Sequence, residues 1–152
     1  MPTRLVRRAA SPALLLGALA GAATGCGQTD VTKTRLERSV APNFAHQYVA
    51  QSSILGHPGA TVAGTHAVAS CDRGGPKVPD RGAGPNWICT IDFDDVAGAH
   101  QQGRFEVTVS SDSCYVVGGP SKLVGTAKIT DASGHDVTNP PAEFEGCFDP
   151  AG

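Results

Sequence analysis

The sequence predicts an α+β fold, in which a kinked N-terminal helix packs on a four- to five-stranded antiparallel β-meander. Apolar residues recur every four positions early in the chain, and the period changes to two after Ala60. A period of four places side chains along one helical stripe, whereas a period of two places them on one face of a strand. No helix-length segment separates the later runs, so antiparallel neighbours are favoured over parallel βαβ units.

The predicted helix begins at Val31, with Asp30 as its cap, and ends in the glycine- and proline-rich segment 56–59. Its apolar stripe, which we interpret as core packing, consists of Leu36, Val40, Phe44 and Tyr48. Pro42 interrupts this stripe, and its ring clashes with the carbonyl four residues earlier. We therefore expect a kink or a break near Ala41.

Five later segments have the composition of short strands bounded by turns. They are residues 61–70, 87–93, 104–110, 113–117 and 123–130. Alternation along the second and third segments predicts the inner face of the sheet, which the helix should cover. That face comprises Trp87, Ile91, Phe93, Phe105, Val107 and Val109.

Composition limits the class of protein. A chain of 152 residues suits one domain, and its 19 glycines and 11 prolines are more than a helical bundle usually carries. The formal net charge is −2, without the clustered lysine and arginine that nucleic-acid binding needs. The sequence therefore predicts no nucleic-acid partner.

Residues 1–25 are typical of a bacterial lipoprotein signal peptide. Arg4, Arg7 and Arg8 form a basic start, and the apolar run at 9–20 is too short to span a bilayer. The adjacent Arg7 and Arg8 leave both Sec and twin-arginine export open. A segment of this kind directs the chain out of the cytoplasm.

The end of this segment, Thr24-Gly25-Cys26, resembles a lipobox, whose cysteine becomes the lipid-modified N-terminus. The alternative is ordinary cleavage after Ala22 or Ala23, which would release a soluble protein. Lipidation of Cys26 leaves four cysteines, an even number, as expected of an exported protein. We therefore predict lipidation at Cys26, a short tether over residues 26–30 and a single α+β domain over residues 31–152.

The net charge does not explain membrane attachment. From Cys26 onward the chain has nine basic and fourteen acidic residues, a formal charge of −5. An acidic body is not attracted to an anionic surface, so attachment is expected to come from acyl chains. Because one chain anchors only marginally, a multiply acylated, for example palmitate-bearing, cysteine is expected.

The four remaining cysteines, Cys71, Cys89, Cys114 and Cys147, allow three pairings. We predict Cys71–Cys89, which closes the loop 72–86, and Cys114–Cys147, which holds the C-terminal tail on the sheet. Each bond should stabilise the fold by about 3 kcal/mol on the loop-entropy estimate. No C-x-x-C or paired Cys/His run occurs, so we predict no metal site.

The pattern as a whole is similar to a family of small actinobacterial secreted lipoproteins with a C-terminal domain of unknown function. The matching pieces are the segment 36–40, Cys71, the segment 87–91 and the segment 105–109. The resemblance implies lipid anchoring at the cell membrane. It transfers no catalytic residues, because that family has no assigned activity.

Motifs of known chemistry are missing from the sequence. The five histidines have none of the spacings of metal ligands, and no G-x-S-x-G nucleophile elbow occurs. Asp92, Asp94 and Asp95 suggest calcium, but the downstream glutamate of an EF-hand is missing, and a solvated strand end is favoured. We predict no cofactor and no enzymatic activity.

The function predicted from the sequence is a lipid-anchored, non-enzymatic binding or scaffolding module on the extracytoplasmic face of the membrane. Its partner would be an envelope protein or a small ligand. The expected contact residues are Arg73, Lys77, Arg81 and Trp87, on a loop projecting away from the bilayer, together with the loop 94–103. The alternative is an envelope hydrolase whose Ser/His/Asp site is assembled in space.

Overall fold

The computed structural model describes residues 31–148. The predicted signal segment, Cys26 and the tether lie outside these residues, as do residues 149–152. The helices are α1 (Lys33–Ile54) and α2 (Ser121–Val124), and the strands are β1 (Val68–Asp72), β2 (Gly84–Asp94), β3 (His100–Val109), β4 (Cys114–Gly118), β5 (Lys128–Thr130), β6 (Asp136–Thr138) and β7 (Glu143–Cys147). The main sheet is antiparallel with the order β1-β2-β3-β4-β7, which confirms the predicted α+β fold.

Helix α1 runs without interruption for 22 residues, so the alternative of a break at Pro42 is wrong. Its cap is Thr32, whose Oγ1 accepts a hydrogen bond from the Arg35 N–H, and the predicted cap Asp30 lies outside the described residues. Pro42 is on the exposed side, where water can solvate the carbonyl that lost its partner. The helix ends before Gly56, which has a φ of 84° that glycine adopts without strain.

Two of the expected strands are shorter than the pattern indicated. The segment 61–70 contains a 3₁₀ turn, Ala63–Thr65, and only its last residues belong to β1. The segment 123–130 divides into the end of α2 and the three-residue β5, which pairs with β6 in a separate hairpin. Alanine, glycine and serine differ little in hydropathy, so the sequence pattern predicted a continuous strand across both turns.

The fifth strand of the main sheet comes from the C-terminal segment, which the sequence pattern did not identify as a strand. After β4 the chain makes an excursion through α2 and the β5–β6 hairpin, then returns as β7 beside β4. Thus the sheet is a meander only through its first four strands.

The predicted inner face is confirmed: all six of its side chains are at most 2% exposed. The helical stripe covers them, with Leu36, Val40 and Phe44 fully buried. The Phe44 ring lies 4.8 Å from that of Phe93 and 5.2 Å from that of Phe105, both edge-on. This aromatic cluster joins the middle of the helix to β2 and β3.

Helix α1 also contacts both edges of the main sheet. Glu37 Oε1 accepts a hydrogen bond from the backbone N–H of Cys71 on the β1 edge (2.9 Å). On the β7 edge, Asn43 Nδ2 donates to the Glu145 carbonyl (2.8 Å) and Ser39 Oγ to the Cys147 carbonyl (3.4 Å). The sheet therefore curves around the helix, whose polar side chains occupy groups that would otherwise pair with another strand.

Among residues 31–148, no helix is both long and apolar enough to cross a membrane.

Candidate binding surfaces

The cysteines pair as predicted, which confirms the disulfide assignment. Cys71 bonds to Cys89 and Cys114 to Cys147, and each pair occupies directly opposite positions on neighbouring antiparallel strands. The first bond is inside the core, where its cysteines are at most 1% exposed. The second joins the first residue of β4 to the last residue of β7, and Cys147 is exposed.

The loop 72–86, predicted as a contact surface, is held together by Arg73. Its guanidinium donates to the carbonyls of Arg81 and Ala83, both at 2.6 Å, and its backbone N–H donates to Asp80 Oδ1. Arg73 is therefore a half-buried brace of the loop. The side chains of Lys77 and Arg81 are exposed.

Trp87 is not part of a contact surface, because it is fully buried in the core. Its indole Nε1 donates to the Gly82 carbonyl at 3.0 Å, so this buried side chain holds the loop 72–86 against the core. Placing Trp87 among the exposed contact residues was thus wrong, whereas its assignment to the inner face was right. Alternation along β2 was the signal that distinguished the two.

The loop also fails to project away from the start of the domain. The Gly82 N–H donates to the Val31 carbonyl at 2.8 Å, and the Lys33 N–H donates to the Asp80 carbonyl at 3.1 Å. Thr32 and Arg81 form an isolated antiparallel bridge between these two contacts. The loop therefore lies against the first residues of the domain.

A second candidate site is a histidine–aspartate cluster where β2 and β3 meet. His66 Nδ1 is 2.9 Å from Asp94 Oδ2, and His100 contacts both Asp92 (3.4 Å) and Asp94 (3.5 Å). His66 reaches Asp94 from a left-handed backbone conformation, with φ of 45°, directly after the 3₁₀ turn. Because residues 61–70 were predicted to form a strand, the contact between His66 and Asp94 was not predicted.

Electrostatics in this cluster follow from its hydrogen bonds. The bond with His66 lowers the pKa of Asp94, and His100 adds a smaller effect in the same direction. Next in the chain, the Ala99 N–H is the main cause of the lowered pKa of Asp95. Both carboxyl groups are therefore ionised at neutral pH.

An open cleft of about 230 Å³ adjoins this cluster. Its wall includes Asp94 and Asp95 on one side and the 3₁₀ turn on the other, with Tyr48 between them. The Tyr48 hydroxyl accepts a hydrogen bond from the Val96 N–H, and burial raises the pKa of this phenol. The cleft is open to solvent, and its volume is below that of a typical drug-sized ligand site.

The histidine–aspartate cluster contains no hydroxyl group hydrogen-bonded to His66 or His100. Neither histidine is therefore paired with a nucleophile in this arrangement of the described residues. Nor do the described residues contain three or more potential metal ligands grouped around one point.

The outer face of the main sheet is acidic. Within the five strands, the antiparallel registers place six carboxylates and one arginine, Arg104, on this face. The carboxylates are Asp72, Asp92, Asp94, Glu106, Glu143 and Glu145. Val68 and Val116, which are 62% and 44% exposed, lie between them.

Comparison with known proteins identified no relative. No protein-family model, no curated protein and no solved structure matches the chain.

Proposed function

We propose that the chain is a lipid-anchored, disulfide-stabilised binding module on the extracytoplasmic face of the cell membrane. The observation that carries this proposal is the cysteine pairing. The two disulfides use all four other cysteines, so Cys26 is left with no cysteine partner within the chain. A leftover cysteine directly after a short apolar segment is the position that lipid modification requires.

The small-lipoprotein resemblance supports the same proposal through the Thr24-Gly25-Cys26 ending. The partner is an envelope protein or a small ligand, bound by exposed surfaces on a rigid sheet. The cleft beside Asp94 and the acidic outer face of the main sheet supply these surfaces. Disulfides on two edges of the sheet keep both surfaces preorganised.

Replacement of Cys26 tests the anchor. In a host that matures lipoproteins, Cys26→Ser should remove the acyl mass seen by intact-mass spectrometry of the wild type, together with cleavage before residue 26. The matched control is Cys114→Ser/Cys147→Ser, which removes two cysteines and their disulfide but should keep the acyl mass. An unmodified Cys26 in membrane-extracted wild-type protein would contradict lipidation.

An envelope hydrolase is the second candidate function. The His66–Asp94 contact is the orientation of base by acid that such enzymes use. Labelling with a fluorophosphonate probe, which reacts with activated serine hydroxyls, separates the two functions. We expect no labelling above that of the denatured protein; labelling abolished by His66→Ala would instead establish the hydrolase.

A further inference from the structure

The charges of the described residues are separated along the molecule. Residues 31–38 and 72–86 hold six basic and three acidic residues, whereas the rest of residues 31–148 holds three basic and nine acidic ones. The basic side chains of these two segments are Lys33, Arg35, Arg38, Arg73, Lys77 and Arg81. Together they are called the basic collar.

The fold, rather than the sequence order, assembles the basic collar. The two segments are more than thirty residues apart, yet hydrogen bonds at 2.8 and 3.1 Å join Gly82 to Val31 and Asp80 to Lys33. Lys77 and Arg81 are exposed, and the Lys33 side chain is 41% exposed although it pairs with Glu37 at 3.8 Å. Even with Asp30 of the tether counted, the collar has an excess of positive charge.

The basic collar also lies next to the proposed anchor, so this inference rests on the proposed function. Five peptide links separate Cys26 from Val31, which limits their Cα–Cα distance to about 18 Å. The collar therefore reaches a bilayer surface that holds Cys26. At that surface anionic headgroups attract lysine and arginine, within a Debye length of ~8 Å.

We propose that the basic collar binds the anionic phospholipid headgroups around the lipid anchor and so orients the domain on the membrane. Its occupant is the phosphate-bearing surface of the bilayer that carries Cys26. Asp72 lies within the collar segments, but repulsion between the same surface and the other five carboxylates of the outer sheet face favours the same orientation. The sheet face and the cleft beside Asp94 are then turned toward a partner.

The experiment uses the full, matured chain in vesicles of phosphatidylcholine with and without phosphatidylglycerol. Hydrogen exchange in peptides from the loop 72–86 should be slower in the vesicles containing phosphatidylglycerol. About 1 M salt, which shortens the Debye length to ~3 Å, should remove the difference. Equal exchange in both vesicles would overturn the proposal.

Charge reversal identifies the side chains responsible. Each lysine or arginine near an anionic surface contributes roughly fivefold to association, so Lys77→Glu/Arg81→Glu should weaken headgroup binding by at least roughly 25-fold. Because both side chains are exposed, circular dichroism should show an intact fold. Retention of the headgroup-dependent protection in this variant would refute the assignment.

The matched control is Lys122→Glu/Lys128→Glu, which makes the same charge change at the other end of α1. Lys122 belongs to α2, whose Val124 carbonyl accepts from Gln51 in the last turns of that helix. The helix has 22 residues and is about 33 Å long, so these lysines are remote from the collar. We expect protection like that of the wild type, and equal loss would point to net charge instead.

Two further measurements separate the possible failures. Flotation with neutral phosphatidylcholine vesicles reports the acyl anchor alone, so its loss contradicts the proposed function while leaving the headgroup effect measurable. Inorganic phosphate at matched ionic strength should leave the loop protected. If phosphate alone removes the protection, the collar binds soluble anions and the lipid assignment is wrong.

Discussion

Asp94 links three segments that are far apart in the sequence. It accepts from His66 and contacts His100, and it forms part of the cleft wall with Asp95. Single side chains of this kind decide the electrostatics of the site. The sequence showed the acidic residues at 92–95 but not their histidine partners, because His66 is positioned by a turn with left-handed backbone.

His66→Ala should raise the pKa of Asp94 toward its ordinary value, since the hydrogen bond with His66 is the main cause of its lowering. A lowered native pKa stabilises the fold above the ordinary pKa of about 3.9 and ceases to do so as the pH falls through the native value. The variant should therefore have less of this stabilisation at neutral pH, and its stability should fall less than that of the wild type as the pH drops below about 4.

Carboxyl-carbon NMR titration measures the effect at each aspartate. Asp112 is the internal control, because its pKa is lowered mainly by the Ser110 hydroxyl and should not change in the variant. An unchanged pKa of Asp94 in the variant would show that the hydrogen bond with His66 does not lower it.

Strand pairing explains which of the three possible cysteine pairings forms. Cys89 lies on the inward face of an alternating strand, and each pair joins neighbours in the sheet at opposite positions. The strand β7 was not predictable, because five residues that include a glycine give little periodic contrast. Its place in the sheet depends on β4 and on the polar contacts from α1.

The two disulfides should differ in their reactivity toward a dithiol reductant. The Cys71–Cys89 bond is sealed in the core, whereas Cys147 is exposed at the sheet edge. Because thiol–disulfide exchange requires access to sulfur, Cys114–Cys147 should be reduced first under native conditions.

Alkylation followed by peptide mass mapping checks this order. Unfolding with denaturant before reduction provides the control, since both bonds should then be reduced together. Labelling of Cys71 and Cys89 as early as Cys114 and Cys147 in the native protein would contradict the prediction.

At the scale of the whole molecule, a buried polar network joins the C-terminal end of α1 to the segments between β4 and β7. Asn139 is 1% exposed; its Nδ2 donates to the Val124 and Thr126 carbonyls, and its Oδ1 accepts from Gln51 Nε2. These bonds fasten α1, α2 and the excursion before β7 to one another. They are the reason that the returning strand arrives at a defined place.

Asn139→Ala should lower the free energy of unfolding by about 2 kcal/mol, because the Thr126 carbonyl loses its side-chain donor and the Gln51 amide loses one of its two acceptors. Urea denaturation followed by circular dichroism measures this change. The matched control, Asn86→Ala, alters an exposed side chain and should change stability by under ~0.5 kcal/mol. Equal effects in the two variants would exclude a stabilising role for the network.

With three cysteine pairings left open, the amino-acid pattern was enough to predict which residues form the core and the order of the first strands. It could do so because periods of four and two record burial locally, and a one-residue slip would reverse every side chain of a strand. The position of β7, the choice among the cysteine pairings, the His66–Asp94 contact and the joining of the basic collar became known from the tertiary structure. Each of these depends on contacts between residues far apart in the chain, for which a local pattern holds no signal.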